Sequence, residues 1–185
     1  MHKRPTKQTK SRKGNDMAQK NEITLFLASS VTEFYKQRRQ IGDIFRRLNN
    51  RLVPEADKFV NLKKCEYEEI AVAKGRKQEE YNALISLSDI FAALIGEKVG
   101  SYTLEEYEQA KLSSAQIVVY IVSPPEGKPF PESVALFIEK LKSNGDDFLI
   151  YDDFEEVKKD ILGRVLGIEG FLSEGAKLID IAELL

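Results

Sequence analysis

At 185 residues and 21.0 kDa, the chain is long enough for one domain with a sizeable core and too short for two full ones. Hydrophobic residues make up 42% and charged residues 31%, with a net charge of -2, a globular balance that excludes a disordered or fibrous chain; no apolar run approaches the roughly 20 residues of a membrane helix. One cysteine (Cys65) and one histidine (His2) exclude a disulfide framework, a Ser-His-Asp or Cys-His centre and a histidine-rich metal site, so any catalysis runs on carboxylates, hydroxyls, Lys, Arg or Tyr.

Residues 1–22 hold seven Lys and Arg against Asp16 and Glu22, so about +5 sits there and about -7 on the remainder. This segment has no apolar periodicity and no secretory h-region, and is expected to be a disordered basic tail. Met17 offers an alternative start. A solvated extension and a contact with nucleic acid or anionic lipid are both open to the tail, whereas the acidic body argues against a nucleic-acid-binding core. The single cysteine is compatible with a reducing cytosol, and the chain is expected to be cytoplasmic.

Ile23 to Ala28 is an apolar run that reads as a fully buried strand. A helix is predicted over 31–51, with Phe34, Ile41, Phe45, Leu48 and Leu52 on its apolar face and Arg38, Arg39, Arg46 and Arg47 assigned to its charged face. Residues 58–66 read as a second strand, 66–77 as a charged loop, 78–87 as a short helix and 89–95 as a third strand. A loop over 96–102, a helix over 103–112 and a strand over 116–123 follow. Pro131 opens a helix that Asn144-Gly145 stops, 148–151 is a fifth strand, and a helix over 154–166 closes the domain. Residues 171–185 read as helical and end on Leu184-Leu185, apolar enough to suggest an extension over 167–185 leading into a further domain.

Five buried strands alternating with helices predict an α/β fold: a doubly wound, five-stranded parallel sheet with helices on both faces. In the strand order 2-1-3-4-5, ligands sit at the carboxyl ends of strands 1 and 3, where the winding reverses. That selects Ala28-Ser29-Ser30 and the loop over 96–102 with the following helix.

Glu106 is the carboxylate singled out there. In a first helical turn, the dipole would favour its ionised form; Thr103-x-x-Glu106 is also a capping box, in which Glu106 only satisfies an amide. Ser30 has the same capping excuse in Ser30-x-x-Glu33, and Ser29 has less of one. The four arginines are either a phosphate-binding stripe or solvated charge. Tyr102, Tyr107 and Tyr120 are either stacking residues or core. No GxGxxG or Walker loop is present, which argues against a standard dinucleotide dehydrogenase or P-loop NTPase.

The runs Phe26-Leu27-Ala28-Ser29-Ser30, Arg76-Lys77-Gln78-Glu79-Glu80-Tyr81-Asn82, Ser88-Asp89-Ile90-Phe91 and Gly100-Ser101-Tyr102-Thr103-Leu104-Glu105-Glu106-Tyr107-Glu108-Gln109-Ala110 resemble a bacterial TIR-like domain, of the branch found at the front of NTPase-repeat and tetratricopeptide-repeat proteins. The resemblance covers about residues 23–160 and implies a flavodoxin-like fold. It also implies a signalling or defence role, self-association into homo-oligomers, and cleavage of NAD at the nicotinamide-ribose bond, with NAD as substrate rather than cofactor. It carries the catalytic role onto Glu106, and for NAD cleavage at these strand ends the expected substrate-binding residues are Ser29, Ser30, Tyr102 and Thr103. The tryptophan that often precedes this helix in animal TIR domains is absent, and the 66–77 loop occupies the place of the family's interaction loop without a residue match. Nucleoside 2-deoxyribosyltransferases share a similar stretch, an Asp at the third strand followed by Gly and a helix with Glu and Ala, and are the enzymatic alternative. A non-enzymatic self-associating module is the other.

Overall fold

The computed structural model describes residues 21–64, 78–172 and 183–185. The basic tail up to residue 20, the 65–77 segment with Cys65, and residues 173–182 of the extension lie outside them. In chain order the elements are β1 (Glu22–Ser29), α1 (Tyr35–Ala56), β2 (Phe59–Lys64), α2 (Gln78–Ser86), β3 (Ile90–Ile95), α3 (Ser101–Lys111), β4 (Gln116–Val122), α4 (Glu132–Asn144), β5 (Asp147–Tyr151) and α5 (Phe154–Leu166). The five strands form one parallel sheet in the order β2-β1-β3-β4-β5. This is the doubly wound α/β, flavodoxin-like fold predicted from the sequence. Glu22, placed in the tail above, opens β1, and its Oε1 accepts the Asn61 amide at 2.8 Å.

The uninterrupted apolar runs have a two-sided cause. Successive side chains of a strand point to opposite faces, so Leu25 and Leu27 of β1 pack with α1 and α5, together with Leu94 and Tyr120. Phe26 and Ala28 pack with α3 and α4 on the other face, together with Phe91, Ala93 and Val119. Both layers are dry, which is why β1, β3 and β4 show no polar alternation.

Helix ends follow local chemistry. Asp153 caps α5 by accepting the Glu155 N–H at 3.0 Å. Gly145 ends α4 in the left-handed conformation (φ 70) that the predicted Asn144-Gly145 stop requires. Two helix starts differ from expectation. Residues 31–34 form a turn and α1 begins at Tyr35, while α3 begins at Ser101, two residues earlier than predicted. The apolar Leu184 is fully buried in the α1 and α5 layer beside Phe171, with Arg51 paired to Glu183 and Arg47 donating to the Leu185 carbonyl. Leu184 is thus part of the core, with Leu185 packed partly against it. No helix among the described residues is long and apolar enough to cross a membrane.

Candidate active site

Between β1 and β3 the connections leave the sheet in opposite directions, so the loops after their carboxyl ends, Ser29 and Ile95, diverge and leave a crevice. The buried polar side chains gather there. Ser29 is 7% exposed, Arg38 5%, Thr103 7% and Glu106 3%. Two come from the end of β1 and the first turn of α1, and two from the start of α3. Elsewhere among the described residues the buried polar set is Lys58, Ser88 and Lys158; Ser88 is bound to the Leu84 carbonyl and Lys158 is paired with Glu155.

The face that α3 turns inward is Thr103, Glu106, Tyr107 and Ala110, a three-then-four spacing along one side of a helix. Tyr107 and Ala110 meet the apolar layer, so Thr103 and Glu106, nearer the helix start, are drawn in beside the crevice. The early start of α3 corrects the capping reading. Its N-cap is Gly100, with no side-chain cap bond, and Thr103 and Glu106 both lie inside the helix. Glu106 is in the second turn, so the first-turn dipole argument for its ionisation fails as well. A carboxylate buried inside a helix beside such a crevice is a candidate for chemistry.

Arg38 separates from the other three arginines, which the sequence left between a phosphate-binding stripe and solvated charge. Instead of standing on the solvated face of α1, it is buried, and its Nη1 donates to Ser29 Oγ at 2.7 Å and to the Ser29 carbonyl at 3.5 Å. A guanidinium stays charged at all working pH values, so a fixed positive charge stands at the carboxyl end of β1, with Ser29 as its acceptor. The Ser29 hydroxyl keeps one proton to donate. Arg39, Arg46 and Arg47 are exposed, as assigned.

The remaining candidates divide. Ser30 is exposed and its Oγ accepts the Glu33 N–H at 3.3 Å, a capping role. The Glu33 carboxylate does not return that bond; it crosses to the loop after β3, where Oε1 accepts the Glu97 N–H at 2.8 Å. Tyr102, in the first turn of α3, is 55% exposed at the rim. Tyr107 and Tyr120 are core. The Tyr107 hydroxyl donates to Asp146 and accepts from Asn144 at 2.7 Å, and the Tyr120 hydroxyl donates to Asp160 at 2.8 Å. Burial and those carboxylates push both phenols up, out of reach of proton transfer at neutral pH.

Asp89, the third-strand aspartate of the transferase resemblance, lies at the opposite end of the sheet. Its Oδ2 accepts the Thr24 N–H at 2.8 Å, and its own N–H and carbonyl tie β1 and β4, each at 2.8 Å. At about 3.3 Å per residue it stands about 20 Å from the carboxyl end of β3. Among the described residues no cluster of His, Cys, Asp or Glu is placed to hold a metal ion.

No protein-family model matches the chain, and no curated protein matches it. Among solved structures it is similar to the CMP N-glycosidase BcmB of Clostridium botulinum, at 15% identity over 75% of this chain and 97% of that one, with a TM-score of 0.44. It is similar to the Flv1 flavodiiron core of Synechocystis, at 13% identity over 71% of this chain and 29% of that one, TM-score 0.40. It is also similar to CapF bound to 3-isopropenyl-tropolone, at 16% identity over 70% and 29%, TM-score 0.38. The chain spans less than a third of the length of the last two. Likeness this loose carries no argument about activity.

Proposed function

We propose that the chain hydrolyses the N-glycosidic bond between nicotinamide and ribose in NAD, with Glu106 as the carboxylate that stabilises the positive charge developing on the sugar. The observation that supports this is the gathering of Glu106, Thr103, Arg38 and Ser29, all buried, at the one place where a doubly wound sheet opens a crevice.

The chemistry fits a site without imidazole. Nicotinamide leaves as a neutral base from a cationic ring, so its departure needs no general acid. The bond from its nitrogen to ribose C1′ breaks with both electrons going to the ring, and C1′ becomes oxocarbenium-like. A buried carboxylate facing C1′ lowers that barrier electrostatically, and more strongly there than it would in water. Water then adds to C1′ and releases one proton, giving nicotinamide and ADP-ribose. Arg38 supplies the fixed cation for a phosphate, Ser29 and Thr103 offer hydroxyls to the ribose, and Tyr102 at the rim offers a face for a base.

The purified chain incubated with NAD is expected to release nicotinamide and ADP-ribose in equal amounts. Incubation with a deoxynucleoside and a free base is the control: a new nucleoside would reverse the assignment in favour of base exchange. Repeating the NAD incubation over a range of protein concentrations tests the self-association that the TIR-like resemblance implies, because a site completed by assembly gains specific activity with concentration.

A further inference from the structure

The two walls of the crevice are tied to each other by a side chain. Glu33 lies in the turn between β1 and α1, and its Oε1 accepts the N–H of Glu97, in the loop after β3, at 2.8 Å. The carboxylate lies across Gly96 so closely that a Cβ there would stand 1.7 Å from Oε1. These are the loops whose divergence opens the crevice.

The two ends of this clasp are unequal. On the β1 side Glu33 is a fixed post: its N–H donates to Ser30 Oγ at 3.3 Å, and the next residue, Phe34, is buried in the α1 and α5 layer. The Phe34 N–H in turn donates to the Ser30 carbonyl at 3.0 Å. On the β3 side lies the run 96–100, with a glycine at each end, where Val99 packs only partly on the α3 and α4 layer. That run leads directly into the turn of α3 that carries Tyr102 and Thr103. Glu106 lies further along, where Tyr107 and Ala110 seat the helix in the core.

We propose that Glu33 is a positioning residue for the crevice, its carboxylate holding the loop after β3 to the turn after β1 so that the wall formed by 97–103 is ordered before a ligand arrives. The Glu97 N–H is open to water, so removing the carboxylate strands no donor and costs the whole fold little. What the bond supplies is restraint. A wall left loose must be ordered when a ligand binds, and fixing a single backbone residue again is worth about tenfold in affinity. The clasp therefore acts on binding and leaves the chemistry to Glu106. That the ligand is NAD rests on the N-glycosidase reading; the clasp itself does not.

The test compares full-chain wild type, Glu33→Gln and Glu33→Ala by amide hydrogen exchange of the free protein, affinity for ADP-ribose, and NAD turnover. Glu33→Ala is expected to exchange faster at Glu97 and at Leu104, whose N–H donates to the Gly100 carbonyl in the first turn of α3, with Tyr107 and β3 unchanged. Its affinity for ADP-ribose should fall, and its KM for NAD rise, by about fivefold to tenfold, with kcat within about twofold of wild type. Glu33→Gln keeps a side-chain oxygen for the Glu97 N–H and should match the wild type throughout. Wild-type exchange at Glu97 and Leu104 in Glu33→Ala, wild-type affinity for ADP-ribose in that variant, or a Glu33→Gln as weak as Glu33→Ala would overturn the proposal. If even the wild type neither binds ADP-ribose nor cleaves NAD, the N-glycosidase reading falls, and the exchange rates alone decide the clasp.

Discussion

Arg38 reaches back from the first turn of α1 to Ser29, the last residue of β1, and donates to its hydroxyl at 2.7 Å. Both residues are buried, so the pair fixes a guanidinium at the carboxyl end of a central strand and ties the helix to the strand it follows. Truncating either member leaves a desolvated polar group behind. Arg38→Ala and Ser29→Ala are each expected to destabilise the fold by about 1–3 kcal/mol. The double variant should lose less than the sum of the two, a coupling that a denaturant melt of the four proteins would measure. If Arg38 holds a phosphate of NAD, Arg38→Ala should also raise the KM for NAD far more than it lowers kcat, because such a contact is made equally in the ground and transition states.

Asn49 of α1 faces the outer edge of the sheet, where its amide pairs with both backbone groups of Val60. The Val60 N–H donates to Asn49 Oδ1 at 2.7 Å, and Asn49 Nδ2 donates to the Val60 carbonyl at 3.0 Å. The side chain thus stands in for a neighbouring strand on the free edge of β2. Asn49→Ala is expected to cost about 1–3 kcal/mol and to speed hydrogen exchange at Val60 well before the central strands respond. Unchanged exchange at Val60 would contradict this role.

Asp146, before β5, accepts from the Tyr107 hydroxyl and from Lys111 Nζ, the latter at 2.6 Å. Burial pushes its carboxyl up, but the Lys111, Tyr107 and Asn144 interactions outweigh this and hold it below the ordinary value of 3.8. A carboxyl depressed in the folded state gives stability that is complete above its unfolded pKa and is lost as pH falls through the folded one. The wild type should therefore exceed Asp146→Asn in stability at neutral pH, with the gap closing as the pH drops below about 3.8. Thermal melts of both proteins from pH 7 to pH 2 would show it, and a gap that stays constant would count against it.

Gly96 has no space for a side chain while Glu33 lies over it. Gly96→Ala is expected to expel the Glu33 carboxylate from the Glu97 amide, visible as faster hydrogen exchange at Glu97. Combining it with Glu33→Ala, which empties the space, should restore the stability that Gly96→Ala loses.

The central strands were legible because burial on both faces favours an apolar run: β3 is wholly Ile, Phe, Ala and Leu, β1 holds Leu25-Phe26-Leu27-Ala28, and β4 runs apolar from Ile117 to Val122. The start of α3 was not, because a backbone-only cap at Gly100 leaves no side-chain signature. Thr103 and Glu106 imitated a capping box while standing inside the helix. Arg38 was hidden by its type. The apolar positions step seven residues from Phe34, just before α1, to Ile41, and Arg38 fills the gap four residues after the first and three before the second. A charged residue at a core position of a helix is the mark of a buried site, but Arg39 beside it made the pair resemble ordinary surface charge. The reach of Glu33 to Glu97 spans 64 residues, and nothing local in the sequence announces it.

The most direct measurement is nicotinamide release from NAD by the concentrated, purified chain beside Glu106→Gln, with melting temperatures taken for both. If Glu106 stabilises the sugar cation, the wild type releases nicotinamide, and the variant, matched in volume and melting within a few degrees, loses about a hundredfold or more of the rate. Equal release by the two proteins, or none from a folded wild type at any concentration, would contradict the assignment.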